Sequence, residues 1–201
     1  MSAAGLAAAS LTVVWMLGGF GPPSADLPSS ADAISGPFRL TGADGQSVSD
    51  RDFRGKWLLV YFGYTHCPDI CPTTLADISQ TLDLLGADAA QVQPLFISID
   101  PERDTPQVVR EYVKEFDDRI IGLAGTPEEI AATAKAYRVF YAKKEGTAAS
   151  NYLMEHTAFV YVIGPDGRYV TLLSPLQGQT PDIMADRLRE LVSPVRTGLL
   201  P

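Results

Sequence analysis

Apolar residues in this chain fall either in short unbroken runs or at spacings of three and four, and the two patterns alternate along its length. Trp57 to Gly63, WLLVYFG, is apolar and aromatic throughout, as a buried strand should be. Pro72 then opens a segment in which Leu75, Ile78, Leu82 and Leu85 recur at helical spacing up to Gly86, which predicts an amphipathic helix. A second buried strand is read in VQPLFISI, 92–99. The loop DPERDTP, 100–106, leads from it into a helix marked by Val108, Val109, Tyr112, Val113 and Phe116. After a short strand, Thr126-Pro127-Glu128-Glu129 has a capping-box pattern, with Thr as N-cap, Pro at the first helical position and Glu at the third. That helix carries Ile130 through Tyr137.

AKKEGTAASN, 142–151, is polar and small and reads as a connecting stretch. TAFVYVI, the turn Gly164-Pro165-Asp166-Gly167 and RYVTLL together read as a hairpin. Thr180-Pro181 starts a last helix through Ile183, Met184, Leu188 and Leu191. Early alternation of strand and helix implies parallel strands with helical crossovers, and the terminal hairpin adds antiparallel pairing. The predicted fold class is α/β, a mixed central sheet flanked by helices.

The N-terminus departs from this pattern. Ala3 to Phe20 is an uninterrupted run of apolar and small residues, and the first 38 residues contain no Lys or Arg. Eighteen positions reach roughly 27 Å as a helix, about the thickness of a thin hydrocarbon core, so residues 1–21 are predicted to form a membrane anchor. A cleaved secretory signal is the rival: Ala31-Asp32-Ala33 has the A-x-A form, but it lies late and no positive segment precedes the run. Both readings export the domain. Residues 22–36, rich in Pro, Ser, Ala and Gly, read as a flexible linker, and the folded domain is placed at 37–201. A length of 201 residues suits one domain. With 24 acidic against 16 basic side chains and a formal charge of −8, the composition argues against nucleic acid as a partner.

Candidate chemistry concentrates in GYTHCPDICPTT, 63–74, which holds both cysteines and one of the two histidines. It comes directly after the first buried strand, at the strand end where open α/β sheets place their sites. On helical backbone Cys67 and Cys71 would share a face about 6 Å apart, close enough for a disulfide and suited to a metal. Pro72 complicates this reading, because the regular helix can instead begin there with Cys71 as N-cap. Either way both sulfurs sit near the positive end of a helix, which favours thiolates. A structural disulfide, a redox couple and a metal site all remain open from spacing alone. A metal needs a third donor: His66 points away as a sequence neighbour of Cys67, and His156 precedes a strand, where histidines are more often packed. Met154 reads as packing and Asp69 as a helix N-terminal carboxylate. If His156 converges, two thiolates and an imidazole suit Cu(I), whereas structural zinc wants a fourth ligand.

YFGYTHCPDICPTT, SIDPERDTP, IGLAGTPEEI and YLMEHTAFVYVIGPDGRYV, taken in order, resemble the Sco/SenC family of copper-handling proteins across roughly residues 37 to 193. The resemblance implies a thioredoxin-like fold and a membrane anchor with the domain outside the cytoplasm, in the bacterial periplasm or the mitochondrial intermembrane space. It implies copper, as Cu(I) and also Cu(II), bound by Cys67, Cys71 and His156, with His66 matching the motif without being a ligand. The implied role is delivery of copper to the binuclear copper centre of cytochrome c oxidase. The implied partners are the copper-bearing oxidase subunit, another copper chaperone and a thioredoxin-like reductant. The alternative is a thiol-disulfide oxidoreductase that reduces the oxidase cysteines with the Cys67–Cys71 couple. Thioredoxin-like proteins carry a proline facing the cysteine motif before the hairpin, and His156 takes that place here. Glu155 stands where the family pattern has Asp. A peroxidase reading is disfavoured, because Tyr64 occupies the position of the expected threonine.

Overall fold

The computed structural model describes residues 34, 36–144 and 152–197. The anchor predicted over 1–21, most of the linker and residues 145–151 lie outside these. No helix among the described residues is long and apolar enough to cross a membrane.

A hairpin of β1 (Arg39–Thr41) and β2 (Ser47–Ser49) opens the fold. The central sheet comprises β3 (Trp57–Gly63), β4 (Val92–Ser98), β5 (Ile121–Leu123), β8 (Val160–Ile163) and β9 (Tyr169–Leu173). Its order is β5-β4-β3-β8-β9; β3, β4 and β5 run parallel, whereas β8 and β9 are antiparallel additions. The helices are α1 (Ile70–Leu85), α2 (Pro106–Lys114), α3 (Pro127–Ala136) and α4 (Pro181–Thr197). A separate ribbon pairs β6 (Tyr141–Lys144) with β7 (Leu153–His156).

Every residue of β3 is buried, as its unbroken apolar run requires of the middle strand in a sheet covered on both faces. Side chains alternate across it: Tyr61 stacks toward Phe96 and reaches Cys71, while Phe62 meets Tyr137 and Tyr161. On α1 the buried set includes Leu75, Ile78, Leu82 and Leu85, the predicted stripe. The capping box at Thr126 forms: Thr126 Oγ1 accepts from the Glu129 N–H at 3.3 Å, and Glu129 Oε2 accepts from the Thr126 N–H at 2.8 Å. In the β8–β9 turn Gly167 adopts φ +81°, a conformation that side chains rarely take.

Four expectations need correction. Helix α1 starts at Ile70, two residues before Pro72, with Asp69 as N-cap. The strand expected over 157–163 begins only at Val160. Residues 141–144, expected largely as part of a polar connection, form β6 and pair with β7. The ribbon is half exposed and carries Lys143 and Lys144, so it lacks the apolar run that marks a buried strand. Ile183, expected in the apolar stripe of α4, is instead 51% exposed, while Met184 and Leu188 are buried.

Candidate metal centre

Strand β3 delivers the chain to the cysteine turn at its C-terminal end. The Cys67 N–H donates to the Tyr64 carbonyl at 3.3 Å, closing a tight turn ahead of α1. Cys67 therefore precedes the helix, and the fully helical placement of both sulfurs is not adopted. Cys71 is the second helical residue and Pro72 the third. The first four N–H groups of a helix have no partner within it, so the missing N–H of Pro72 removes no bond. The first ladder bond runs from the Thr73 N–H to the Asp69 carbonyl at 3.4 Å.

Cys71 is fully buried against β3. A Cβ on Gly63 would lie 2.8 Å from Cys71 Sγ and 2.7 Å from Phe96 Cε2, closer than packed atoms allow, so this approach of helix to strand needs glycine. The turn is fastened from the next strand. Asp104, buried in the loop after β4, accepts from the Thr65 N–H at 3.0 Å, the Thr65 hydroxyl at 2.6 Å and the Ser98 hydroxyl at 2.5 Å. Two of these bonds hold Thr65, two places before Cys67, and the third ties the carboxylate to the end of β4.

His156 ends β7 and converges on the cysteines. Its Nε2 lies 3.6 Å from Cys71 Sγ, and the Cys67, Cys71 and His156 donor atoms all lie within 4.8 Å of one another. On the far side of the ring, Nδ1 is 3.0 Å from the Thr157 carbonyl. A carbonyl only accepts, so this bond places the proton on Nδ1 and leaves the Nε2 lone pair facing the sulfurs. The rings of Tyr61 and Tyr64 meet the imidazole edge-on, at 6.3 and 5.9 Å between centroids.

The two thiols are electrostatically unequal. A hydrogen bond from the Cys71 thiol holds Cys67 down to about 3, opposed by burial and aided by the N–H groups of Asp69 and Cys71. Cys71 is raised, because it keeps the shared proton and is buried. Cys67 is thus the resting thiolate at the helix N-terminus, and Cys71 the protonated partner. The Tyr61 hydroxyl donates to Cys71 Sγ at 3.7 Å, while burial raises the phenol and keeps it protonated.

An open cleft of about 520 Å³ adjoins the site and is lined by Cys67, Pro68, Ile70, Leu153, Met154 and His156. Other sequence candidates fall outside the donor group. The His66 ring is 54% exposed and its Nδ1 lies 3.0 Å from the Thr65 hydroxyl. Met154 is partly buried and packs against the core. Asp69 sits at the N-cap of α1, the helix N-terminal place read for it, and its side chain makes no capping bond. Glu155 is exposed at the cleft wall. Sequence reasoning missed the aromatic surround of Tyr61 and Tyr64 and the anchoring by Asp104. The signal for Asp104 was its place in a loop at a strand's C-terminal end, two residues before a helix.

The sheet and the site together define a thioredoxin-like protein whose dithiol is completed by an imidazole into a Cys–Cys–His donor set. The chain belongs to the SCO1/SenC family, whose model matches residues 27–193. It is 45% identical over 139 residues to the mitochondrial SCO1 homolog of Homo sapiens, an alignment covering 68% of this chain and 46% of the relative. The chain thus spans less than half the length of that relative. The structure of Bradyrhizobium japonicum ScoI with copper bound superposes with a TM-score of 0.72 at 44% identity, over 79% of this chain and 99% of that one. BsSco, described as a member of the Sco family of cytochrome c oxidase assembly proteins with a disulfide switch, gives 0.58 at 26% identity, over 77% and 91%.

Proposed function

We propose that this chain is a copper chaperone that carries Cu(I) on Cys67, Cys71 and His156 and passes it to the copper-bearing subunit of cytochrome c oxidase. The observation that carries this reading is the convergence of three soft donors within 4.8 Å of one another. Thiolate and imidazole select Cu(I), and a set of three falls short of the four that structural zinc takes. Copper is the cargo. Binding displaces the Cys71 proton, and the Thr157 carbonyl keeps Nε2 aimed at the ion. An incoming thiolate of the acceptor reaches the ion through the cleft beside Cys67, and exchange proceeds as each donor of this chain leaves in turn. The copper-bound relative and the described role of BsSco in oxidase assembly support this reading.

The chain's place derives from the same reading: residues 1–21 anchor it in a membrane, 22–36 tether it, and the domain from 37 works outside the cytoplasm. The apolar N-terminal run and the mitochondrial relatives support that arrangement.

A second reading is thiol-disulfide exchange. The free Cys67 and Cys71 share a proton, with Cys67 as the attacking thiolate. Attack on an acceptor disulfide releases one acceptor thiolate. Cys71 then displaces the second, leaving a reduced acceptor and a Cys67–Cys71 disulfide.

The test is Cu(I) titration of the reduced full chain against a chromophoric Cu(I) chelator. Tight one-to-one binding that is lost in both Cys71→Ala and His156→Ala supports the chaperone. Absence of competition together with an intact dithiol couple indifferent to His156 leaves the reductase.

A further inference from the structure

The ribbon that carries His156 has sparse backbone contacts with the other strands and helices, so side chains and a loop must help hold its imidazole over the cysteines. The strongest grip lies at Tyr152, the residue before β7 and four before His156. Its hydroxyl donates to Asp100 Oδ1 at 2.6 Å, and Asp100 is almost wholly buried. Arg103 ties the same pair from two directions: its Nε donates to Asp100 Oδ2 at 2.5 Å and its Nη1 to the Tyr152 carbonyl at 3.1 Å. The guanidinium also lies over the Tyr152 ring, 3.6 Å from its centroid. Strand β6 joins through Lys143, whose Nζ sits 3.9 Å from the same ring and 2.7 Å from Glu102 Oε2. Both strands of the ribbon are thus fastened to one loop, residues 100–103.

Asp104, next in that loop, is the carboxylate that fastens Thr65 of the cysteine turn. Residues 100–104 therefore hold the two halves of the donor set at once, the sulfurs through Asp104 and the imidazole through Tyr152.

We propose that Tyr152, gripped by Asp100 and Arg103, is the positioning residue that keeps His156 within reach of Cys67 and Cys71. Tyr152 touches neither the ion nor the sulfurs; it sets the fraction of time that the third donor is in place. If that fraction falls, apparent affinity falls with it in proportion. This inference rests on the copper-carrying reading of the site.

The test is a double-mutant cycle on the reduced full chain, with Cu(I) affinity read by chelator competition. Tyr152→Phe keeps the ring and its cation contacts but removes the bond to Asp100. The expected result is about tenfold weaker binding where His156 is present, and no further loss on top of His156→Ala, because the effect acts through that residue. Equal loss in both backgrounds, or no loss with His156 present, overturns the proposal. Asp100→Asn, which keeps an acceptor for the Tyr152 hydroxyl, should lose less than Asp100→Ala. Asp100→Ala, which removes that acceptor, replaces Tyr152→Phe in the cycle should that variant fail to fold. If the wild-type chain itself fails to bind Cu(I), the copper reading falls, and the grip is read in metal-free protein by amide hydrogen exchange. Exchange across the β6–β7 pairs about tenfold faster in Tyr152→Phe, with β3 unchanged, then upholds the grip; unchanged ribbon exchange refutes it.

Discussion

His156 Nε2 stands 3.6 Å from Cys71 Sγ across 85 residues of sequence. One partner comes from the second helical residue of α1 and the other from the end of β7, so neither local segment builds the site alone. Folding of the whole sheet brings them together. Their meeting depends on side chains that never touch the donor atoms as much as on the donors themselves.

Gly63→Ala should strain the centre directly, since the new methyl would meet Cys71 Sγ and Phe96 at under 3 Å. Overpacking of this kind costs about 1–3 kcal/mol. Urea denaturation should show that loss, and Cu(I) competition should show weaker binding, because Cys71 is the atom displaced.

Asp104→Ala should destabilise the chain by about 3 kcal/mol, because it leaves the Thr65 N–H and the Ser98 hydroxyl without their acceptor. Denaturant unfolding measures the cost. An unchanged midpoint would show that the loop does not anchor the cysteine turn.

Alkylation should discriminate the two thiols. Limiting iodoacetamide on reduced protein should modify Cys67 well before Cys71, as read by peptide mass spectrometry. Cys67 is held at about 3, so it is already ionised at pH 6, and its rate should change little up to pH 8. Cys71, raised and fully buried, should react slowly throughout.

Acid should expose the Asp117 anchor. The Arg119 guanidinium, bonded to both carboxylate oxygens, holds Asp117 below its ordinary value of 3.8, and Ser79 of α1 adds a bond at 2.9 Å. A carboxyl lowered on folding contributes stability that is fully present above its unfolded pKa and lost as pH falls through the folded one. The urea midpoint of Asp117→Asn should therefore lie below that of wild type at pH 7. The gap should narrow as pH drops below about 4.

Thr126→Ala removes the N-cap of α3 and should cost about 1 kcal/mol in the same assay.

Thr126 is also the clearest case of what sequence reveals. Its capping box is a local contract among four neighbours, legible without a fold. The stripe Leu75, Ile78, Leu82, Leu85 was legible for the same reason, because period reports burial. The donors Cys67, Cys71 and His156 were named from a motif resemblance, since spacing alone left disulfide, redox and metal readings open. The β6–β7 ribbon was missed because its stability comes from Tyr152, Lys143 and a loop some forty to fifty residues earlier in sequence. No periodicity encodes a contact of that range. The start of α1 is not legible from Pro72, because proline is tolerated throughout the first helical turn, where no N–H has a partner within the helix.

That proline has a mechanical consequence. The backbone ladder of α1 begins only with the Thr73 N–H, beyond both sulfurs. Cys67 hangs from a turn, and Cys71 sits where the helix has carbonyls to offer but no N–H engaged in the ladder. The sulfurs are therefore held by Asp104 and by the packing of Cys71 on β3, and not by the ladder of the helix behind them.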